Sequence, residues 1–149
     1  MAKINVFSSE NSGRIDVSQA VGSKSTAMYI YDLLPGRSSC PYHYEYEEEW
    51  LLVLEGTLVL RAPDGEQTLE RGDLVCFPAG PAGAHKLMNR TESTARMMMF
   101  SNERVPSVSV YPDSDKIGVW PGGDADSLIF KRSTAVPYSE GEEGWENAS

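Results

Sequence analysis

The chain has 149 residues, of which 40% are hydrophobic and 23% charged, and 22 acidic against 13 basic side chains give a net charge of −9. This length favours one domain with room for a core. The acidic balance argues against a nucleic-acid partner, which needs a basic patch to neutralise phosphates.

From the N-terminus, MAKINVFSSENSG carries no apolar signal region, and no later window approaches the roughly 20 apolar residues of a membrane span. Residues 1–24 are rich in Ser, Gly and charge, which predicts an arm wrapping the rest of the chain or a partly disordered end. No stretch shows a helical period. Short β-branched or aromatic runs bounded by Gly, Pro, Asp and Asn recur instead and predict strands. They fall at 26–34, 42–46, 49–55, 57–61, 66–70, 74–78, 84–89 and 95–101, with weaker runs at 107–111, 116–120 and 127–131. Asp64-Gly65, between two alternating runs, marks a hairpin, since Gly takes the positive φ such a turn requires. Residues 132–149 predict a second arm or loose end. Strands this closely spaced leave no room for crossover helices. The expected fold is all-β and antiparallel, a single domain over 1–149 with its core at about 26–111.

The stretch PYHYEYEEEW (41–50) concentrates the chemistry. Residues two apart on a strand share a face, so His43, Glu45, Glu47 and Glu49 point one way, and Tyr44, Tyr46 and Trp50 the other. The only other histidine is His85, in PAGPAGAHKLMN. Imidazole nitrogens and carboxylate oxygens are ligands of borderline and hard divalent metals. Histidines and carboxylates on neighbouring strands would make an open metal site. Glu47 and Glu48 read as solvated turn residues, and Asn89 as the holder of a turn or strand end.

Gly36, His43, Glu45, Glu49 and Gly56 resemble the first motif of the cupin superfamily, a glycine, then H-x-H, a Glu, and a Gly seven residues on. Gly72, Pro78, Gly80, His85 and Asn89 resemble the second. The two motifs cover 36–89. The first interval is one residue longer than the common form, the second motif has four residues, not two, between Gly80 and His85, and Glu45 stands where the family usually has its second histidine. The resemblance implies a jelly-roll barrel (a double-stranded β-helix) with His43, Glu45, Glu49 and His85 as ligands of a divalent metal such as Fe, Mn, Ni or Zn. Glu45, if unligated, is the expected general base. Glu47 or Glu48 would replace a neighbour if the strand is bulged.

Family members include dioxygenases, isomerases, lyases and decarboxylases as well as non-catalytic sensors. The expected function is a metal-dependent enzyme acting on a small oxygenated molecule, an organic acid or carbohydrate derivative. The alternative is a small-molecule binding or sensing module. Arg37, Lys86, Arg90 and Arg96 are candidate cations for an anionic substrate. Tyr44, Tyr46 and Trp50 would serve a homodimer interface or pack under the arms. The run RMMMF (96–100) reads as strand core, and Cys76 as a buried apolar residue. Two cysteines without CxxC spacing imply no disulfide framework, so a reduced cytoplasmic setting is expected. GSKST (22–26), RGD (71–73) and DSD (113–115) each lack the rest of a functional loop.

Overall fold

The computed structural model describes residues 1–8, 10–102, 105–122 and 124–142. Twelve strands account for nearly all its regular structure: β1 (Ile15–Asp16), β2 (Thr26–Leu33), β3 (Tyr44–Glu45), β4 (Glu49–Glu55), β5 (Thr57–Ala62), β6 (Gly65–Glu70), β7 (Leu74–Phe77), β8 (Lys86–Met88), β9 (Ala95–Asn102), β10 (Ser107–Tyr111), β11 (Lys116–Trp120) and β12 (Leu128–Lys131). One five-residue helix, α1 (Val17–Val21), lies in the N-terminal arm. It is too short to show a helical period in sequence. What starts it is Asp16, whose side chain accepts a hydrogen bond from the Gln19 amide at 2.9 Å.

Every strand pair is antiparallel. One sheet has the order β1-β2-β9-β4-β7; the others are β12-β11-β10-β3 and β6-β5-β8. The last two are joined by a bridge between His43 and His85, whose backbones exchange N–H···O bonds of 3.1 and 2.8 Å. Two facing layers result, a jelly-roll barrel. The hairpin expected at Asp64-Gly65 is present, with Ala62 paired to Gly65. β11 and β12 continue the sheet beyond residue 111, because the alternating runs at 116–120 and 127–131 pair with β10 and with each other. Among the described residues no helix is long and apolar enough to cross a membrane.

The run expected as a strand over 42–46 is ladder-paired only at Tyr44–Glu45, and residues 46–48 bend before β4 begins. Strand alternation nevertheless buries Leu51 and Val53 of β4, Leu58 and Leu60 of β5, Leu69 of β6, Leu87 of β8, and Ala95, Met97 and Met99 of β9 in one cluster. The methionines at 97 and 99 are therefore core, as the sequence suggested. Burying a side chain of this size contributes about 1.5–3 kcal/mol. Asn89, 1% exposed, ties the end of β8 to its neighbours: its amide donates to the Leu33 and Ser93 carbonyls, and its oxygen accepts from Thr91.

Candidate metal centre

β4 and β9 each run from packed hydrocarbon into an open cavity. On β4 the inward face reads Val53, Leu51, Glu49; on β9 it reads Ala95, Met97, Met99, Ser101. Beyond Leu51 and Met97 the interior widens into a cavity of about 470 Å³. Its wall includes His43, Glu45, Glu47, Glu49 and His85, with Trp120 and Tyr31 among the aromatic residues.

Three of these residues converge. One ligating atom from each of His43, Glu49 and His85 lies within 4.8 Å of the others. Backbone pairing sets the two imidazoles side by side, with ring centroids 4.8 Å apart. His85 stacks on Phe77 at 3.8 Å, and Phe77 is the β7 residue opposite Glu49. The Nδ1 atoms of His43 and His85 lie 3.1 Å from the Pro41 carbonyl and 2.9 Å from the Gly83 carbonyl. A carbonyl only accepts, so each Nδ1 carries the proton and each Nε2 keeps its lone pair. The His85 Nε2 sits 3.3 Å from Glu49 Oε2, and that buried oxygen has no hydrogen-bond partner.

Electrostatics sharpen the picture. Burial pushes the His85 pKa down to about 4, so this imidazole is neutral near pH 7. Burial, and secondarily the charge of Glu45, pushes the Glu49 carboxyl up to about 8. Near pH 7 the Glu49 carboxyl therefore largely keeps its proton in the metal-free protein, and a divalent cation would displace that proton and take up the two lone-pair nitrogens and the carboxylate oxygen that face one another. The residues present therefore fit a metal.

Gly83 has a particular place here. A Cβ built on it would overlap the Pro78 carbonyl, so only glycine fits this tight turn, and its own carbonyl holds His85.

Glu45 stands beside the group of three. Its Oε1 is 3.9 Å from His43 Nε2 and accepts a hydrogen bond from Ser109 at 2.9 Å. Glu47, expected to be solvated, instead lines the cavity, with Oε2 buried and unpartnered. The reason is local: the bend at 46–48 preserves strand parity, so Glu47 stays on the inward face. Glu48 does turn to solvent, where its carboxylate accepts from the Trp50 indole at 2.8 Å. Tyr44, expected at an interface, is 7% exposed and packs with Ala84 and Val110 of its own chain. Tyr46 is exposed, and Trp50 stacks on Phe100.

None of the four candidate cations lines the cavity. Arg96 is held by Asp32 at 3.2 Å and the Asn11 carbonyl at 2.6 Å, which locks the N-terminal arm onto β2 and β9. Arg90 pairs with Glu66 on the surface, Arg37 is exposed and Lys86 half-buried outside the wall. Cys40 lines the cavity, its thiol pushed up to about 11 by burial, 3.4 Å from His43 Nδ1. Cys76 is half-buried rather than buried. The residues that sequence reasoning missed are Ser109 and Trp120; alternation within SVSVY could have turned Ser109 inward, but nothing local pairs it with Glu45.

Residues 29–101 match the family model of the cupin domain. Over 79 residues the chain is 29% identical to the tetracenomycin polyketide synthase protein TcmJ of Streptomyces glaucescens, covering 53% of this chain and 52% of that protein. The chain thus spans about half the length of the curated relative it matches. Among solved structures, a sugar phosphate isomerase of the cupin superfamily from Silicibacter pomeroyi superposes with a TM-score of 0.75 at 25% identity, over 86% of this chain and 82% of that one. A protein of Acidithiobacillus ferrooxidans provisionally assigned the same activity gives a TM-score of 0.75 at 23% identity, over 83% and 78%.

Proposed function

We propose that this chain, which carries a domain of the cupin superfamily, holds a divalent metal ion on His43, Glu49 and His85 and acts there on a small oxygenated metabolite. The observation that carries the reading is the protonation pattern. Two backbone carbonyls fix both imidazoles with Nε2 free, facing a buried carboxylate oxygen that lacks a partner. Such outer hydrogen bonds orient metal-binding histidines and raise their basicity. A bound divalent ion would supply a Lewis acid able to polarise a substrate oxygen.

The remaining work falls to the chain's own groups. Glu45, on the cavity wall and held by Ser109, is placed to take a proton from a bound substrate. The aromatic side chains of Tyr31 and Trp120 line the same cavity and offer apolar faces to a substrate. Glu45 and Glu47 beside the metal group, with no Lys or Arg among the described lining residues, favour a hydroxyl-rich neutral substrate, a carbohydrate derivative, over a strongly anionic one. The structural likeness to a sugar phosphate isomerase supports proton transfer next to a carbonyl as the reaction class.

Elemental analysis of the purified protein, beside His85→Ala and Glu49→Gln, tests the metal. Stoichiometric Fe, Mn, Ni or Zn in the wild type and its loss in both variants is the expected result; equal metal content in all three would sink the assignment. Screening the loaded protein against neutral sugars and their derivatives then tests turnover. Saturable binding with no product would leave a binding module in place of an enzyme.

A further inference from the structure

Three neighbouring strands bring Glu45, Ser109 and Gly118 into line. β3 pairs with β10 so that Glu45 lies opposite Ser109, and β10 pairs with β11 so that Ser109 lies opposite Gly118. Directly opposed residues share a face. Trp120, two residues beyond Gly118, shares it as well.

The glycine makes room for the indole. A Cβ on Gly118 would lie 2.9 Å from Trp120 Cζ2 and 3.1 Å from its Cε2. Without that atom the ring folds back over β11, and its Nε1 reaches the Ser109 hydroxyl at 3.2 Å. An indole N–H only donates, and a serine hydroxyl has one proton. With its oxygen accepting from Trp120, Ser109 directs its proton to Glu45 Oε1, 2.9 Å away. Ser109 is 2% exposed, so water does not compete for either bond.

We infer that Gly118, Trp120 and Ser109 form a positioning relay that holds the Glu45 carboxylate beside the metal group of His43, Glu49 and His85, facing substrate, and keeps it from becoming a further ligand. The inference rests on the proposed metal site and decides between the two roles open to Glu45. Gly118 and Trp120 act only through Ser109. Ser109 acts through the carboxylate it tethers.

The test uses the full chain, stripped of metal and titrated with Co(II), following affinity and the visible d–d spectrum. Glu45→Gln should bind Co(II) within about threefold of wild type, the spread of an indifferent substitution, with an unchanged spectrum. Ser109→Ala frees the carboxylate. Co(II) affinity should then rise about tenfold, the scale of outer-partner effects, and the d–d bands should weaken as the coordination number increases. Gly118→Ala, whose backbone accepts alanine, should displace the indole and shift the spectrum the same way. Ser109→Thr restores the hydroxyl and should restore the wild-type spectrum. The Ser109→Ala, Glu45→Gln double variant should return to wild-type behaviour, since the effect runs through that one carboxylate.

A tenfold or greater loss of Co(II) affinity in Glu45→Gln would overturn the inference by making Glu45 a ligand already. An unchanged spectrum in both Ser109→Ala and Gly118→Ala would overturn it by making the relay idle. Failure of the metal site is separate: Co(II) would then bind His85→Ala as well as wild type.

Discussion

Two halves of one barrel interior, built from the same strands, have opposite character. Toward one end, Leu51, Val53, Leu58, Leu60, Leu87 and Met97 are at most 1% exposed and fill the space with hydrocarbon. Toward the other, the same face of β4 ends in Glu49 and the same face of β9 in Ser101, and the space is a cavity lined by carboxylates and imidazoles. The filled half supplies stability. The open half gives some of it up, since Glu49 and Glu47 bury oxygens without partners, in exchange for a place where a cation and a substrate can meet.

Substitutions should separate the halves. The largest effect is expected at the open end: His85→Ala should weaken divalent-metal binding by more than the roughly 10–100-fold seen when only an outer partner is lost, with isothermal titration as the measure. At the filled end Leu60→Ala should cost about 2–5 kcal/mol of stability by leaving a cavity while metal stoichiometry stays unchanged; denaturant unfolding beside elemental analysis reads both. Asn89→Ala, between the two, should cost about 1–3 kcal/mol because the Leu33 and Ser93 carbonyls lose their buried donor.

A pH series on metal-free protein sharpens the contrast further. The Glu49 carboxyl in the folded chain titrates at about 8, raised from 4.5 chiefly by burial. Its contribution therefore favours folding fully at pH values below 4.5 and is lost as pH rises through about 8. Wild type should become less stable between pH 6 and pH 9 relative to Glu49→Gln, which has no such proton to lose. Parallel melting curves would show it, and coincident pH dependence in the two proteins would contradict it. The smallest effect belongs to the outer surface: Arg90→Ala, breaking an exposed pair with Glu66 that solvent screens, should leave the denaturation midpoint within the scatter of repeat measurements.

Sequence legibility followed the same division. The strands of the filled half could be placed because alternation and turn residues are local signals; 49–55 was expected and β4 spans Glu49–Glu55. His43, Glu49 and His85 could be singled out by residue type and spacing, and they do lie together. Apart from Glu47, whose cause is local, what escaped depends on contacts distant in sequence. Glu47 reads as solvated until the bend at 46–48 is seen to keep it inward. Tyr44 reads as outward until Ala84 and Val110 arrive to cover it. Arg96 reads as a cation for substrate until the N-terminal arm supplies the Asn11 carbonyl. The pairing of Ser109 with Glu45 spans 64 positions, and no local pattern encodes it.

Gly83 carries no functional group, yet the site depends on it. Any side chain there must push the 78–84 turn away from the Pro78 carbonyl, and the carbonyl that moves with it is the one that fixes the proton on His85. In a saturation mutational scan scored for metal loading, Gly83 should rank with the ligands rather than with the loop that contains it. Selection on the chemistry of an imidazole would then be recorded, in surviving variants, as intolerance at a position that offers no atom to the metal at all.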